Sequence, residues 1–298
     1  MVKDGCEYFF ANLEFYILSD SVFEVFFMVI DHSFQCPVLF YFIFNGKSST
    51  FVIGMEKKND ILSKLRKTLD EQGVDSFHVL EDLVPIEEQM QYFKYFEKIR
   101  GEKNPFVRDE EVAILFSPDV PIDRKKRSLS LLASIPDVGA YRAIEAYHSN
   151  PPDVELLNWS SMALVNSRII LSSDLSGRQQ IYVSSGLGGL DKKLRFFALF
   201  ASKERQIFTE FQREVVEREF RFQLQQVDVD IEKFEIRKNY FTILMLQPFD
   251  VDVQSNIDAA VNECNEYGNF LDKEYLFTNI KTLSEQEIQA LLERKKEE

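Results

Sequence analysis

Tryptophan occurs once, and cysteine and histidine three times each, in 298 residues. Each scarcity removes a kind of chemistry. Cys6, Cys36 and Cys264 are odd in number and far apart, so they frame no disulfide scaffold. His32, His78 and His148 lie in separate segments, with no cysteine or carboxylate at zinc-ligand spacing. Reduced thiols in a cytoplasmic protein are the expected state. Long apolar runs are missing too. The most apolar stretch, Pro37 to Phe44, is far short of the roughly 20 residues a membrane helix needs. Asp4 and Glu7 fall where a secretory signal would be apolar, so no signal peptide is expected. Positive charge is outnumbered, with 35 Lys and Arg against 49 Asp and Glu and a formal net charge of −14. A potential of that sign repels phosphate backbones and anionic lipid, so neither DNA nor a membrane is expected as a partner.

Catalytic signatures are absent as well. Ser184-Ser185 beside Gly186 does not make the G-x-S-x-G elbow of a hydrolase. Cys36, before Pro37, has no evident base, and no pair of carboxylates stands out from the acidic background. The expectation is a non-catalytic chain with no cofactor and no metal.

What is present is a globular composition, 45% hydrophobic, enough to build sizeable cores. Phe is abundant at 28 residues, which suits pleated strands covered by helices. The length points to two or three domains. Residues 7–18 read as a strand. Ser21 and Glu24 have capping-box spacing and predict a helix to about Ile30. Pro37–Phe44 and Ser49–Met55 flank Asn45-Gly46 as a hairpin. A helix follows from Asn59 or Asp60 to Gly73, then a strand at Phe77–Leu80 and a helix from Pro85 to Arg100. This makes residues 1–100 a βαββαβ unit.

Residues 101–177 read as a Pro-bearing linker with a short strand, Val112–Phe116, and then helices. Asp137 caps one helix, and a second, following Asn150-Pro151-Pro152, runs to about Leu171. The two form an αα-hairpin similar in outline to a HEAT pair.

Residues 178–298 repeat the first order more clearly. The strand Leu194–Ala201 is followed by a helix capped at Ser202, with Ile207, Phe208, Phe211, Val215 and Phe222 on one stripe. A hairpin turns at Lys238-Asn239. The helix Gln254–Tyr267 presents Ile257, Ala260, Val261, Cys264 and Tyr267 at helical spacing. A strand at Tyr275–Ile280 precedes a C-terminal helix opened by Ser284 and Glu287. The fold class is therefore α+β, with two ferredoxin-like units flanking a helical middle segment.

Four features are candidate sites. Gly186, Gly188 and Gly189, with Lys192, Lys193 and Arg195, could cradle an anion. The run feeds a strand, whereas phosphate loops feed a helix, so a glycine-rich hairpin turn is the plainer reading. Arg124, Lys125, Lys126 and Arg127 form a basic cluster that leaves RNA or the ribosome open as partners. Lys193-Leu-Arg-Phe-Phe-Ala-Leu-Phe200 has the aromatics of an RNA-recognition strand but lacks its glycine. Trp159 and Arg168, with Tyr141, could anchor a protein partner or simply fill the helical hairpin.

The run Ser185-Gly-Leu-Gly-Gly with Lys193-Leu-Arg-Phe-Phe197, after the Asp137–Leu171 hairpin, resembles an uncharacterised bacterial protein family over roughly residues 126–200. That resemblance implies no activity and no catalytic residue. The sequence therefore favours an interaction or regulatory protein acting through protein–protein contacts. A sensor holding an anionic metabolite between paired ACT-like units, and an RNA- or ribosome-associated factor, are the alternatives.

Overall fold

The computed structural model describes residues 23–31, 38–44, 77–102, 105–177, 181–248, 251 and 253–294. The strand expected at 7–18, the hairpin partner at 49–55 and the helix from 59 to 73 lie outside them. The described chain mixes helix and strand. Its strands are β1 (Phe23–Asp31), β2 (Val38–Phe44), β3 (Phe77–Val79), β4 (Ile181–Ser184), β5 (Gly189–Leu190), β6 (Lys193–Ser202), β7 (Asp230–Ile236), β8 (Tyr240–Pro248) and β9 (Leu271–Thr278). Its helices are α1 (Ile86–Gly101), α2 (Arg108–Phe116), α3 (Ile122–Ala133), α4 (Val138–Ser149), α5 (Leu157–Ser176), α6 (Glu210–Gln225), α7 (Gln254–Glu266) and α8 (Glu285–Arg294).

The described strands join one sheet in the order β3-β4-β1-β9-β6-β8-β7, with β2 on β1 and β5 on β6. Two ferredoxin-like units flanking a helical segment were the expectation. Instead β1 pairs antiparallel with β2 and β4 and parallel with β9, which ties the N-terminal strands to the C-terminal ones. The helix expected to Ile30 is the strand β1. Phe23-Glu-Val-Phe-Phe-Met-Val-Ile30 is aromatic and β-branched along its length, and partners on the sheet outweigh a local capping signal. Val112–Phe116, expected as a strand, is the second half of α2, whose first turn carries Asp109, Glu110 and Glu111 at the positive end of its dipole.

Two cores lie on opposite faces of the C-terminal sheet. Along β6, Leu194, Phe196, Ala198 and Phe200 face α6 and α7, while Phe197, Leu199 and Ala201 face α8. This alternation is the period of two of a pleated strand. On the first face Phe200 stacks on Phe241 at 4.8 Å and meets Phe220 edge-on at 4.7 Å. Each such pair adds about 0.5–1.5 kcal/mol beyond its buried area. A third core holds α1 to α5 together around Tyr92, Leu129, Tyr147 and Trp159.

Helices α4 and α5 are consecutive, and at the start of α4 Asp137 accepts a hydrogen bond from the Ala140 amide at 2.7 Å. The helix expected to be capped at Ser202 is capped seven residues later. Thr209 and Gln212 make a reciprocal capping box there, and Ser202 instead ends β6.

Candidate functional site

The sites marked in the sequence do not converge. Gly186, Gly188 and Gly189 are buried in a crossing of three segments. A Cβ on Gly186 would stand 1.9 Å from the Ile280 carbonyl oxygen, and one on Gly188, at φ +63°, 2.6 Å from that of Glu81. Gln89, fully buried on α1, donates to the Val84 and Ser185 carbonyls and accepts from the Ser184 hydroxyl. The glycines therefore let backbone approach backbone, and the turn has no room for a phosphate. Lys193 is held by Asp228 and Asp230, and Arg195 makes a two-toothed pair with Glu232 while donating to the Leu187 carbonyl. Lys192 is exposed beside them.

The basic cluster is divided among separate partners. Arg124 grips Glu111 through two bonds of 2.7 and 2.8 Å. Lys125 is buried against Asp153 at 2.6 Å, Lys126 lies over the Trp159 ring, and Arg127 meets Glu102. Trp159 is buried, edge-on to Tyr92 and Tyr95. Arg168 is exposed and reaches the Tyr141 hydroxyl at 3.4 Å. Each of the four cations has a partner of its own, and Trp159 belongs to the core.

A second cluster has the order of a catalytic relay. His148 Nδ1 lies 3.1 Å from the Ser160 hydroxyl, and its Nε2 lies 3.3 Å from Asp82, which also accepts from Ser161. The His148 bond holds the Asp82 carboxyl below its ordinary range. Both serines are buried inside α5, and the Ser160 hydroxyl donates to the Leu157 carbonyl of its own helix. No acyl group could reach either oxygen, so the cluster fastens the end of α4 and the loop after β3 to α5. Among the described residues, no group of three or more His, Cys, Asp and Glu is placed to hold a metal.

A cleft open to solvent lies between the edge of the sheet and α8. It encloses 310 Å³ and is lined by Lys233 and Glu235 of β7, Arg237 just after that strand, Tyr240 and Thr242 of β8, and Glu285 of α8. Phe197, Leu244, Leu283 and Ile288 form its apolar part. A bulge between Ile231 and Lys233 shifts the register of β7. Ile231, Phe234 and Ile236 all pack on the α6 side as a result, leaving Lys233, Glu235 and Arg237 for the cleft. Lys233 and Arg237 share one carboxylate, Glu235, at 3.0 and 3.4 Å. Tyr240 donates to Glu285 at 2.6 Å. Burial and that carboxylate push the Tyr240 hydroxyl up to about 12, and the same bond holds the Glu285 carboxyl below its usual range. The sequence reading missed this site. Its only trace was the alternation Lys233-Phe-Glu-Ile-Arg237, which the bulge makes meaningful.

The roof of the cleft is held by the Ser284 capping box. Glu287 accepts from the Ser284 amide and from Lys281, which together draw its carboxyl down to about 2. A carboxyl depressed by folding stabilises the structure above its ordinary value and ceases to as the pH falls through the folded one. The cap should therefore act fully above about pH 4.5 and fail toward pH 2. Glu287→Gln is expected to loosen α8 by about 1 kcal/mol at neutral pH. Amide-exchange protection of Ile288 to Leu292 checks this: it should fall in the variant at pH 6, and in the wild type only on strong acidification.

No family model matches the chain, and no curated protein matches it. Among solved structures it is similar to a proposed transposase of Deinococcus radiodurans R1, with 16% identity and a TM-score of 0.28 over 35% of this chain and 89% of that one. It is also similar to a REP-associated tyrosine transposase bound to a REP hairpin, with 10% identity and a TM-score of 0.27 over 33% of this chain and 62% of that one. The expectation of a non-catalytic interaction protein with no DNA partner is not upheld: both neighbours are described as transposases, and one is bound to a REP hairpin. No described helix is long and apolar enough to cross a membrane.

Proposed function

We propose that the chain binds a small zwitterionic molecule, of amino-acid or dipeptide size, in the cleft beneath α8. The supporting observation is the placement of opposite charges on the walls of one apolar-floored cleft. Lys233 and Arg237 stand on the strand wall, in excess over the single carboxylate they share, and Glu285 stands on the helix wall. A ligand carboxylate would replace Glu235 as partner of the two cations, and a ligand ammonium would meet Glu285. Thr242 supplies a hydroxyl between them, and Phe197 and Leu244 accept an apolar side chain. The lining is more polar than apolar, which suits a ligand carrying charges of both signs better than an apolar one. The scaffold is read as one ferredoxin-like unit from Lys193 to Thr278. The order βαββαβ and the strand order β9-β6-β8-β7 support that reading.

Thermal melting against free amino acids and dipeptides tests the proposal. At 100 times its dissociation constant a true ligand should raise the midpoint by about 5–10 °C. The doubly reversed variant Lys233→Glu/Arg237→Glu should lose that shift. An unchanged shift in the variant would remove the site from the cleft. A DNA hairpin that binds the wild type but not the variant, with no zwitterion doing so, would overturn the reading and give this face to nucleic acid.

A further inference from the structure

The register of the sheet lays out the cleft in rows. Arg237 stands opposite Tyr240, whose carbonyl accepts from the Arg237 amide at 2.8 Å, and Tyr240 stands opposite Ala201. The next row is Glu235, Thr242 and Leu199, and the third is Lys233, Leu244 and Phe197. Alternate residues of a strand share a face, so all three rows lie on the α8 side, about 7 Å apart. Arg237 and Tyr240 therefore stand at one end of the cleft, and Leu244 and Phe197 at the other.

Tyr240 joins opposite charges at the polar end. Its ring is buried, 3% exposed, in the core beneath α8. Its hydroxyl donates to Glu285 Oε2 at 2.6 Å, and Glu285 Oε1 accepts from Gln289 at 3.0 Å, one turn along the helix. Two bonds thus orient this carboxylate, and about two of its roughly four acceptor positions remain for a ligand. The bonds from Tyr240 and Gln289 lower the Glu285 carboxyl, and the charge of Arg237 adds to them, so the two charges stand within electrostatic reach of each other.

Resting on the reading of the cleft given above, we infer that Tyr240 is a positioning residue that restricts the site to free α-amino acids with an apolar side chain. It sets Glu285, the partner of the ligand ammonium, beside Arg237, the partner of the ligand carboxylate. Ammonium and carboxylate must then be borne by one carbon atom. The ligand side chain runs along the sheet toward Leu244 and Phe197. A molecule with one of the two charges leaves a charged partner unanswered, and a molecule with its charges far apart satisfies only one of them.

Calorimetric titration of the full chain with leucine, leucinamide, isocaproate, ε-aminocaproate and leucylleucine tests this. Leucinamide lacks the carboxylate, isocaproate lacks the ammonium, and ε-aminocaproate carries both at opposite ends. Leucine should bind at least about tenfold tighter than each of the others, which forgo a charge-assisted hydrogen bond. Tyr240→Phe deletes the hydroxyl and keeps the ring. It should weaken leucine about tenfold and leave isocaproate, which makes no use of Glu285, unchanged. A merely structural loss would weaken both alike. Leucine binding should also fail at a higher pH in this variant than in the wild type, because Glu285 loses the bond that keeps it ionised. Glu285→Gln should bind leucine and isocaproate equally. If no probe binds, the reading of the cleft and this inference fall together. If leucine binds but another probe equals it, or Tyr240→Phe weakens leucine and isocaproate alike, the reading of the cleft stands and the inference is overturned.

Discussion

Alanine at Gly186 is expected to destabilise the protein by about 3 kcal/mol or more, one of the two largest effects of any single change argued for this chain. The added methyl would sit 1.9 Å from the Ile280 carbonyl oxygen, and backbone cannot swing aside as a flexible side chain can. Separating the two segments would also strain the Gln89 network, whose buried amide bonds Val84, Ser184 and Ser185 together. Gly177→Ala is the control. That residue is a glycine in a left-handed conformation, at φ +63°, and nothing lies within 4 Å of its missing Cβ. Its cost should be only the local backbone penalty, about 1 kcal/mol. In thermal melts the first variant should lose about 6–12 °C and the second a few degrees. Equal shifts would show that the packing of the turn has been misread.

The other large effect falls on the helical core. Asp153→Ala is expected to cost about 3–5 kcal/mol, because it leaves the ammonium of Lys125, 1% exposed, without its counter-charge. Lys125→Met should cost much less. It removes the buried charge itself, and Asp153, at 23% side-chain exposure, keeps access to water and the bond from Tyr147. Denaturant melts of the two variants give the order. The Lys125 bond holds the Asp153 carboxyl below its ordinary value of 3.8, so this contribution is present above about pH 4 and is lost on acidification through the lower folded value. Lys125→Met should flatten the acid limb of the stability profile. If Lys125→Met were the more damaging variant, the pair would owe its stability to packing rather than to charge.

Much of the C-terminal architecture was legible in local chemistry. Asp137 reads as a cap, and its side chain does accept from the helix. Ser284 and Glu287 read as a capping box and form one. Ile257, Ala260, Val261 and Cys264 repeat at helical spacing and are buried. These features depend on residues three or four apart. Errors arose where distant partners decided. The Ser21–Glu24 spacing promised a helix, but Glu24 lies in β1, which the pairings with β2, β4 and β9 hold extended. On α6 the spacing of Phe211, Val215 and Phe222 marks one face correctly but cannot say which face meets the sheet. Val215 lies at the margin of the buried arc, and the two Phe residues fall outside it.

The candidate site was less legible than the fold. The residues that drew notice by type, Arg124 to Arg127, Trp159 and the glycine run, are each tied into packing or ion pairs that a sequence does not display. The cleft residues are ordinary in type and spread from position 197 to 288. A single bulge in β7 and the seating of α8 bring them together.

The most direct measurement is a two-dimensional NMR titration of the full chain with amino acids and dipeptides, following backbone amides across the sheet. The account predicts saturable shifts at Lys233, Glu235, Arg237, Thr242 and Glu285, lost in Lys233→Glu/Arg237→Glu, with α6 and α7 unmoved. Shifts centred elsewhere would contradict it, as would a cleft that answers to a DNA hairpin and to no zwitterion.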